Sequence, residues 1–251
     1  MTPLLQTDGL VLGYGGGPPV LRDVAFAVEA GQRVAVLGPN GGGKTTLFRS
    51  VLGELAPLSG SVAVRGRCAV VAQTERSRLD FPVSALDVAL MGALARLAWW
   101  KRPGRAERAA AAEALERVGL GARARDTFGD LSGGQRQRVL IARALVQDAP
   151  VVLLDEPFTG LDAASADALE GLLRELAAEG RALLIATHDV SQARGWDRVL
   201  CLNGRQIAFG APGPTLVRPV LEATYGADII DLDCPQHGHE RAILPAHHHR
   251  H

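Results

Sequence analysis

Gly38-Pro-Asn-Gly-Gly-Gly-Lys44-Thr45 gathers four glycines, a lysine and a hydroxyl within eight residues, a set suited to a bound polyphosphate. Glycine lets backbone amides turn inward onto phosphate oxygens, a helix beginning there presents its positive end, and Lys44 adds a point charge for the β and γ phosphates. The residues expected to hold the nucleotide here are Gly38, Asn40, Gly41, Gly42, Gly43, Lys44, Thr45 and Thr46. The Thr45 hydroxyl suits Mg²⁺. A second oxygen donor for that ion is Asp155, which closes the apolar run VVLLD, and Glu156 follows where a carboxylate can polarise an attacking water. A guanine site would need Asn-Lys-x-Asp; lysine occurs only at 44 and 101, so adenine is the expected base and ATP with Mg²⁺ the expected cofactors.

Such a loop must hang between a strand and a helix, and RVAVL before it and the helical pattern from Thr45 to about Leu52 supply both. Residues 4–38 read as strands punctuated by glycine, with VLRDVAFAV alternating at the period of a half-buried strand. SGSVAV and GRCAVVAQ read as further strands. VVLLD and ALLIAT are short continuous apolar runs, as in parallel strands covered on both faces. Helical segments at roughly 163–178 and 189–194 accompany them, so the second half alternates β and α as a parallel sheet with crossovers does. Between about 83 and 146 the chain is rich in alanine, leucine and arginine, and SALDVALMGALARLA and AERAAAAEALERVGL have helical spacing; this stretch reads as an inserted helical subdomain. The last 18 residues, 234–251, lose all periodicity and read as a tail.

Lys+Arg and Asp+Glu balance at 27 each in 251 residues, so no overall field points to nucleic acid, and the scattered basic residues disfavour a DNA-repair role. Cys68, Cys201 and Cys234 lie far apart in no paired pattern, which fits a reducing compartment. The N-terminal MTPLLQTDGLVLGYGGG lacks the charged leader and apolar core of a secretory signal, and no apolar run reaches the ~20 residues of a membrane helix. If the protein moves something across a membrane, another subunit is expected to supply the pore.

Leu131-Ser132-Gly133-Gly134-Gln135, continuing as RQRVLIARAL, carries a second candidate anion cradle: a serine and two glycines at the start of a helix. With the phosphate loop and VVLLDEP around it, it resembles the signature sequence of ATP-binding-cassette (ABC) ATPases, and the resemblance spans residues 4 to about 225. It implies an α/β fold with a P-loop NTPase (RecA-like) core, an N-terminal antiparallel β subdomain and the inserted helical subdomain, all within an ATPase domain of residues 1–233. It also implies a head-to-tail dimer, in which Ser132, Gly134 and Gln135 close over the ATP on the partner's phosphate loop. By the same resemblance Tyr14 stacks on adenine and Gln73 reaches Mg²⁺ and the water, joining Thr45 and Asp155 as metal ligands. Gly160-Leu161-Asp162 would touch the opposite subunit, and His188 would be the switch histidine that acts with Glu156 and Lys44 in catalysis. Two departures are Ala72 before Gln73, where proline is usual, and Thr45 where serine is commoner; threonine keeps the hydroxyl.

One phosphate loop and one signature leave no room for fused membrane domains, so a separate motor subunit is expected. DFPVSALDVALMG resembles the corresponding stretch of zinc, manganese and iron-type importer ATPases. That implies a permease partner, indirectly a metal-binding solute receptor, and a peripheral place on the cytoplasmic face of the cell membrane. The competing class is a soluble cassette ATPase such as an iron–sulfur assembly scaffold. Phe81, Pro82, Leu86, Trp99 and Trp100 are expected near a groove for a short permease helix, because exposed aromatics mark interfaces, although ordinary packing within the helical subdomain fits the two tryptophans as well. Six of the seven histidines fall in the tail after Cys234, donors suited to a weakly held zinc-like ion, although a plain polar tail or part of a tag fits as well.

Overall fold

A computed structural model describes residues 2–71 and 82–226. Gln73, Phe81, Cys234 and the histidine-rich tail lie outside the described residues. In chain order the elements are β1 (Leu5–Leu12), β2 (Leu21–Val28), β3 (Arg33–Leu37), α1 (Lys44–Val51), β4 (Ser59–Val64), β5 (Cys68–Val71), α2 (Ala85–Leu90), α3 (Arg105–Arg117), α4 (Gly133–Val146), β6 (Val151–Asp155), α5 (Ala163–Ala178), β7 (Ala182–Ala186), α6 (Val190–Ala193), β8 (Arg198–Leu202), β9 (Gln206–Gly210), α7 (Pro212–Thr215) and α8 (Arg218–Tyr225). Short 3₁₀ turns fall at Met91–Ala95, Gly121–Arg123 and Phe128–Asp130. The chain divides into two compact units, one of residues up to 65 and from 182 onward, the other of residues 66–181.

In the first unit β1 lies between β2 and β4 in an antiparallel sheet. The alternation in β2 buries Leu21, Val24, Phe26 and Val28 and exposes the residues between, as period-two patterning requires. Register shifts interrupt the β1–β2 ladder, and there the buried Thr7 hydroxyl accepts the Phe26 amide at 3.1 Å, which keeps that N–H satisfied. The unit also holds β3 between β7 and β8, parallel to both, with β9 antiparallel on β8. Val34–Leu37 and all of β7 are fully buried, the mark of strands covered on both faces.

In the second unit β5 and β6 pair in parallel, and α2, α3 and α4 pack on one another. Ser84 caps α2 in a reciprocal box with Asp87, the Ser84 hydroxyl accepting the Asp87 amide at 3.1 Å. The helical spacing of 84–98 predicts one continuous helix, but α2 stops at Leu90 and a 3₁₀ turn follows. Gly92 lies in that turn, where a Cβ would stand 2.1 Å from the Arg143 carbonyl oxygen of α4, so only glycine fits so close to that helix. The unit's boundaries reach beyond the helices at 85–146 because β5, β6 and α5 belong to it as well.

Candidate active site

The phosphate loop runs from the end of β3 into α1. Gly38 must be glycine, since a Cβ would fall 2.3 Å from the Leu202 carbonyl oxygen at the end of β8. Gly41 and Gly43 adopt φ of 80° and 101°, and the turn between them is tied by the Gly42 amide to the Pro39 carbonyl at 3.0 Å. The Gly204 amide donates to the Gly42 carbonyl at 3.2 Å, so the β8–β9 turn braces the loop from behind. Lys44 is only 8% exposed, and its ammonium donates to the carbonyls of Gly38 at 2.5 Å and Pro39 at 3.2 Å. These bonds curl the loop around the lysine and hold the charge beside the amides. Gly43 precedes α1 without a side-chain cap, and the start of a helix presents its positive end to the loop, where an anion is favoured.

β1 ends at Leu12, and Tyr14 stands two residues beyond it in a turn, 42% exposed rather than buried in the strand. The Tyr14 hydroxyl lies 3.3 Å from the Thr46 hydroxyl of α1, and the Arg49 guanidinium sits over the ring 5.6 Å from its centroid. Thr46 and Arg49 are three residues apart on one helix face, a spacing in the sequence that could have marked Arg49 as a neighbour of Thr46's contacts. His188 is exposed at the carboxyl end of β7, which pairs with β3 in the register Val36↔Ala186, so His188 and Gly38 leave adjacent parallel strands at the same level. Its turn is fixed on both sides: the Asp189 amide donates to the Thr187 hydroxyl at 3.1 Å, and the Asp189 carboxylate accepts from the Ser191 and Gln192 amides as the cap of α6. The sequence reading passed over Thr187 and Asp189; Thr-His-Asp before a helix is the capping signal that could have found them.

The second unit carries the carboxylates and the signature. Asp155 ends β6 half-buried, and Glu156 follows with φ 49°, a left-handed conformation that costs a residue with a Cβ about 1–2 kcal/mol. Strain held in place at a candidate catalytic carboxylate is a pointer to function. The Thr159 hydroxyl donates to Glu156 Oε2 at 3.3 Å and the Thr159 amide to the Glu156 carbonyl at 3.2 Å, so the turn fixes the direction of the carboxylate; Thr159 was not singled out by sequence. Ser132 is the N-cap of α4: its hydroxyl accepts the Gln135 amide at 3.3 Å while Gln135 Oε1 accepts the Ser132 amide at 2.9 Å. Ser132 and Gly133 remain exposed. A Cβ on Gly134 would lie 3.1 Å from Leu161, which places the signature against the 160–162 turn. Asp162 caps α5 through the Ser165 amide at 2.8 Å, and that hydrogen bond holds its carboxyl below the ordinary range. The structure thus places the phosphate loop, Tyr14 and His188 in one unit and Ser132, Gly134, Gln135, Asp155 and Glu156 in the other.

Residues 21–159 match the ABC transporter family. The chain is 44% identical over 234 residues to the zinc transport system ATP-binding protein TroB of Treponema pallidum, covering 90% of this chain and 88% of that protein. It is 40% identical over 237 residues to the manganese transport system ATP-binding protein MntB of Bacillus subtilis, covering 91% and 94%. A solved metal-chelate type ABC transporter in an inward-facing conformation superposes with a TM-score of 0.82 at 32% identity, covering 89% of each chain. A match over more than half the chain and relatives this similar over nearly all of it settle the family: the chain belongs to the ABC transporter ATPases, as an ATP-binding, ATP-hydrolysing subunit.

Proposed function

We propose that this chain is the motor of an importer for a divalent metal ion, zinc or manganese, with iron the next choice. The observation that carries the reading is the near full-length similarity to ATP-binding proteins of zinc and manganese transport systems. The scaffold alternative has no comparable support. The subunit works beneath a permease, peripheral to the cytoplasmic face of the membrane, and receives its cargo indirectly from a metal-binding receptor. Among the described residues no helix is long and apolar enough to cross a membrane, in keeping with a pore made by another subunit.

Hydrolysis of ATP by water needs positioning and charge neutralisation rather than a covalent intermediate. Lys44 and the loop amides neutralise the β and γ phosphates, and Tyr14 holds the adenine. Thr45, Asp155 and Gln73 each carry a hard oxygen donor of the kind that suits Mg²⁺, and these are the residues that would hold it. That ion, when bound, would offset charge on the phosphate oxygens. Glu156, aimed by Thr159, polarises the water, and His188 holds the water and γ-phosphate in register. Ser132, Gly134 and Gln135 act on the nucleotide of a second copy, so ATP closes a head-to-tail dimer and hydrolysis releases it. Cellular zinc and manganese content, measured in a strain whose only copy carries Glu156→Gln, tests the reading. Loss of accumulation of one of these metals is expected; unchanged accumulation of zinc, manganese and iron would overturn it.

A further inference from the structure

The 3₁₀ segment Met91–Ala95 and the turn that leads from it into α3 carry four of the seven exposed large hydrophobic side chains among the described residues. Trp99 is 92% exposed and Trp100 68%, their rings edge to face with centroids 5.6 Å apart, whereas Trp196 is buried at 4%. Met91 and Leu94 are exposed just before them. The same stretch concentrates positive charge. From 96 to 108, Arg96, Lys101, Arg102, Arg105 and Arg108 are all exposed, against the single carboxylate of Glu107, in a chain whose charges balance overall. That carboxylate is occupied locally, accepting the Gly104 amide at 2.7 Å at the start of α3. After its backbone hydrogen bonds, the charges of Arg96 and Lys101 help hold it below the ordinary range.

A side chain that lines a groove for a helix lies along its wall, whereas Trp99 stands almost wholly in solvent. Indole is instead suited to a boundary where one end of the ring is apolar and the other wet, as at lipid headgroups. Cations beside it add attraction to anionic phosphates, and an apolar anchor with a basic patch makes the pair of signals that stable surface binding requires. We propose that residues 96–108 form a membrane-contact element, in which Trp99 and Trp100 enter the headgroup layer of an anionic bilayer and Arg96, Lys101, Arg102 and Arg105 meet its phosphates. The inference depends on neither the transported ion nor the permease.

The test uses the full-length protein with protein-free vesicles, either of phosphatidylcholine alone or of phosphatidylcholine with phosphatidylglycerol. Sedimentation with the anionic vesicles only, weakened by salt, is expected, together with a blue shift of tryptophan emission as exposed indoles leave water. Trp99→Ser with Trp100→Ser should weaken binding by about tenfold or more, Trp99→Phe with Trp100→Phe by less, and Lys101→Glu with Arg102→Glu again by about tenfold or more. Unchanged basal ATP hydrolysis shows that each variant is folded. The proposal is overturned by no binding to protein-free vesicles, by equal binding to both compositions, by binding that survives both the serine and the glutamate substitutions, or by attachment only where a permease is present in the bilayer.

Discussion

Replacing Tyr14, the proposed adenine platform, should separate recognition of the base from recognition of the phosphates. The Tyr14 ring is 42% exposed, carries Arg49 on one face at 5.6 Å, and is steadied by a 3.3 Å contact from its hydroxyl to Thr46. Stacking of a base on an aromatic ring contributes about 1–3 kcal/mol. Tyr14→Ala should therefore raise the Kd for ATP by roughly fivefold to about 150-fold. Tyr14→Phe keeps the ring and loses only a part-buried hydroxyl contact that orients it, so a change of no more than about threefold is expected. Arg49→Ala removes a cation–π contact at an exposed site, worth about 0.5–1 kcal/mol, and should fall between the two. The assay is calorimetric titration with ATP and, separately, with inorganic tripolyphosphate, which has no base to stack. Tripolyphosphate should bind all four proteins alike, because Lys44 and the loop glycines are held by Leu202, Gly204 and their own carbonyls and not by Tyr14. Equal losses for ATP and tripolyphosphate in Tyr14→Ala, or no loss for either, would refute the assignment.

Glu156→Gln keeps an oxygen for the Thr159 hydroxyl but cannot polarise water, so hydrolysis should fall by about a hundredfold or more while ATP still binds. Size-exclusion chromatography with ATP and Mg²⁺ should then show accumulated dimer, and a nucleotide-loaded monomer would contradict the head-to-tail arrangement. Gly92→Ala forces a Cβ to 2.1 Å from the Arg143 carbonyl and 3.0 Å from Val146; overpacking of this kind costs about 1–3 kcal/mol, hence a melting temperature lower by roughly 2–12 °C in scanning fluorimetry. An unchanged midpoint would show that α4 yields freely. Burial pushes the Cys201 thiol up to about 11, offset in part by Thr224, so at pH 8 it stays protonated and should resist iodoacetamide until the protein is unfolded. Mass spectrometry finding Cys201 alkylated in the native protein would rule this out.

Much of the site was legible because its chemistry is local in sequence. A phosphate cradle needs consecutive amides and a helix start, so Gly38–Thr45 can be recognised without knowing what lies behind it. The same holds for Ser132-Gly133-Gly134-Gln135, whose capping box joins residues three apart, and for Asp155 and Glu156 at the end of an apolar run. Strand β2 was legible from its alternation, and β6 and β7 from continuous burial, since side-chain period follows directly from backbone geometry. The helical spacing of 84–98 did not show that the α-helix gives way to a 3₁₀ turn after Leu90, for periodicity registers which face is apolar and cannot register how closely α4 passes at Gly92.

By itself, then, the sequence determined which groups are candidates to bind phosphate, hold an oxygen-seeking cation and polarise water, because residue type and short-range spacing are enough to nominate them. Tertiary structure decided how the groups are held. Leu202 and Gly204 brace the phosphate loop from a strand far along the chain, Arg49 covers one face of Tyr14, and the left-handed Glu156 is aimed by Thr159. The exposure of Trp99 and Trp100 was decided there as well, since a tryptophan in a helix-rich stretch serves equally well in a core or on a surface until its neighbours are placed. These are contacts between residues distant in sequence or choices among backbone states, and their energies depend on positions that only the folded chain supplies.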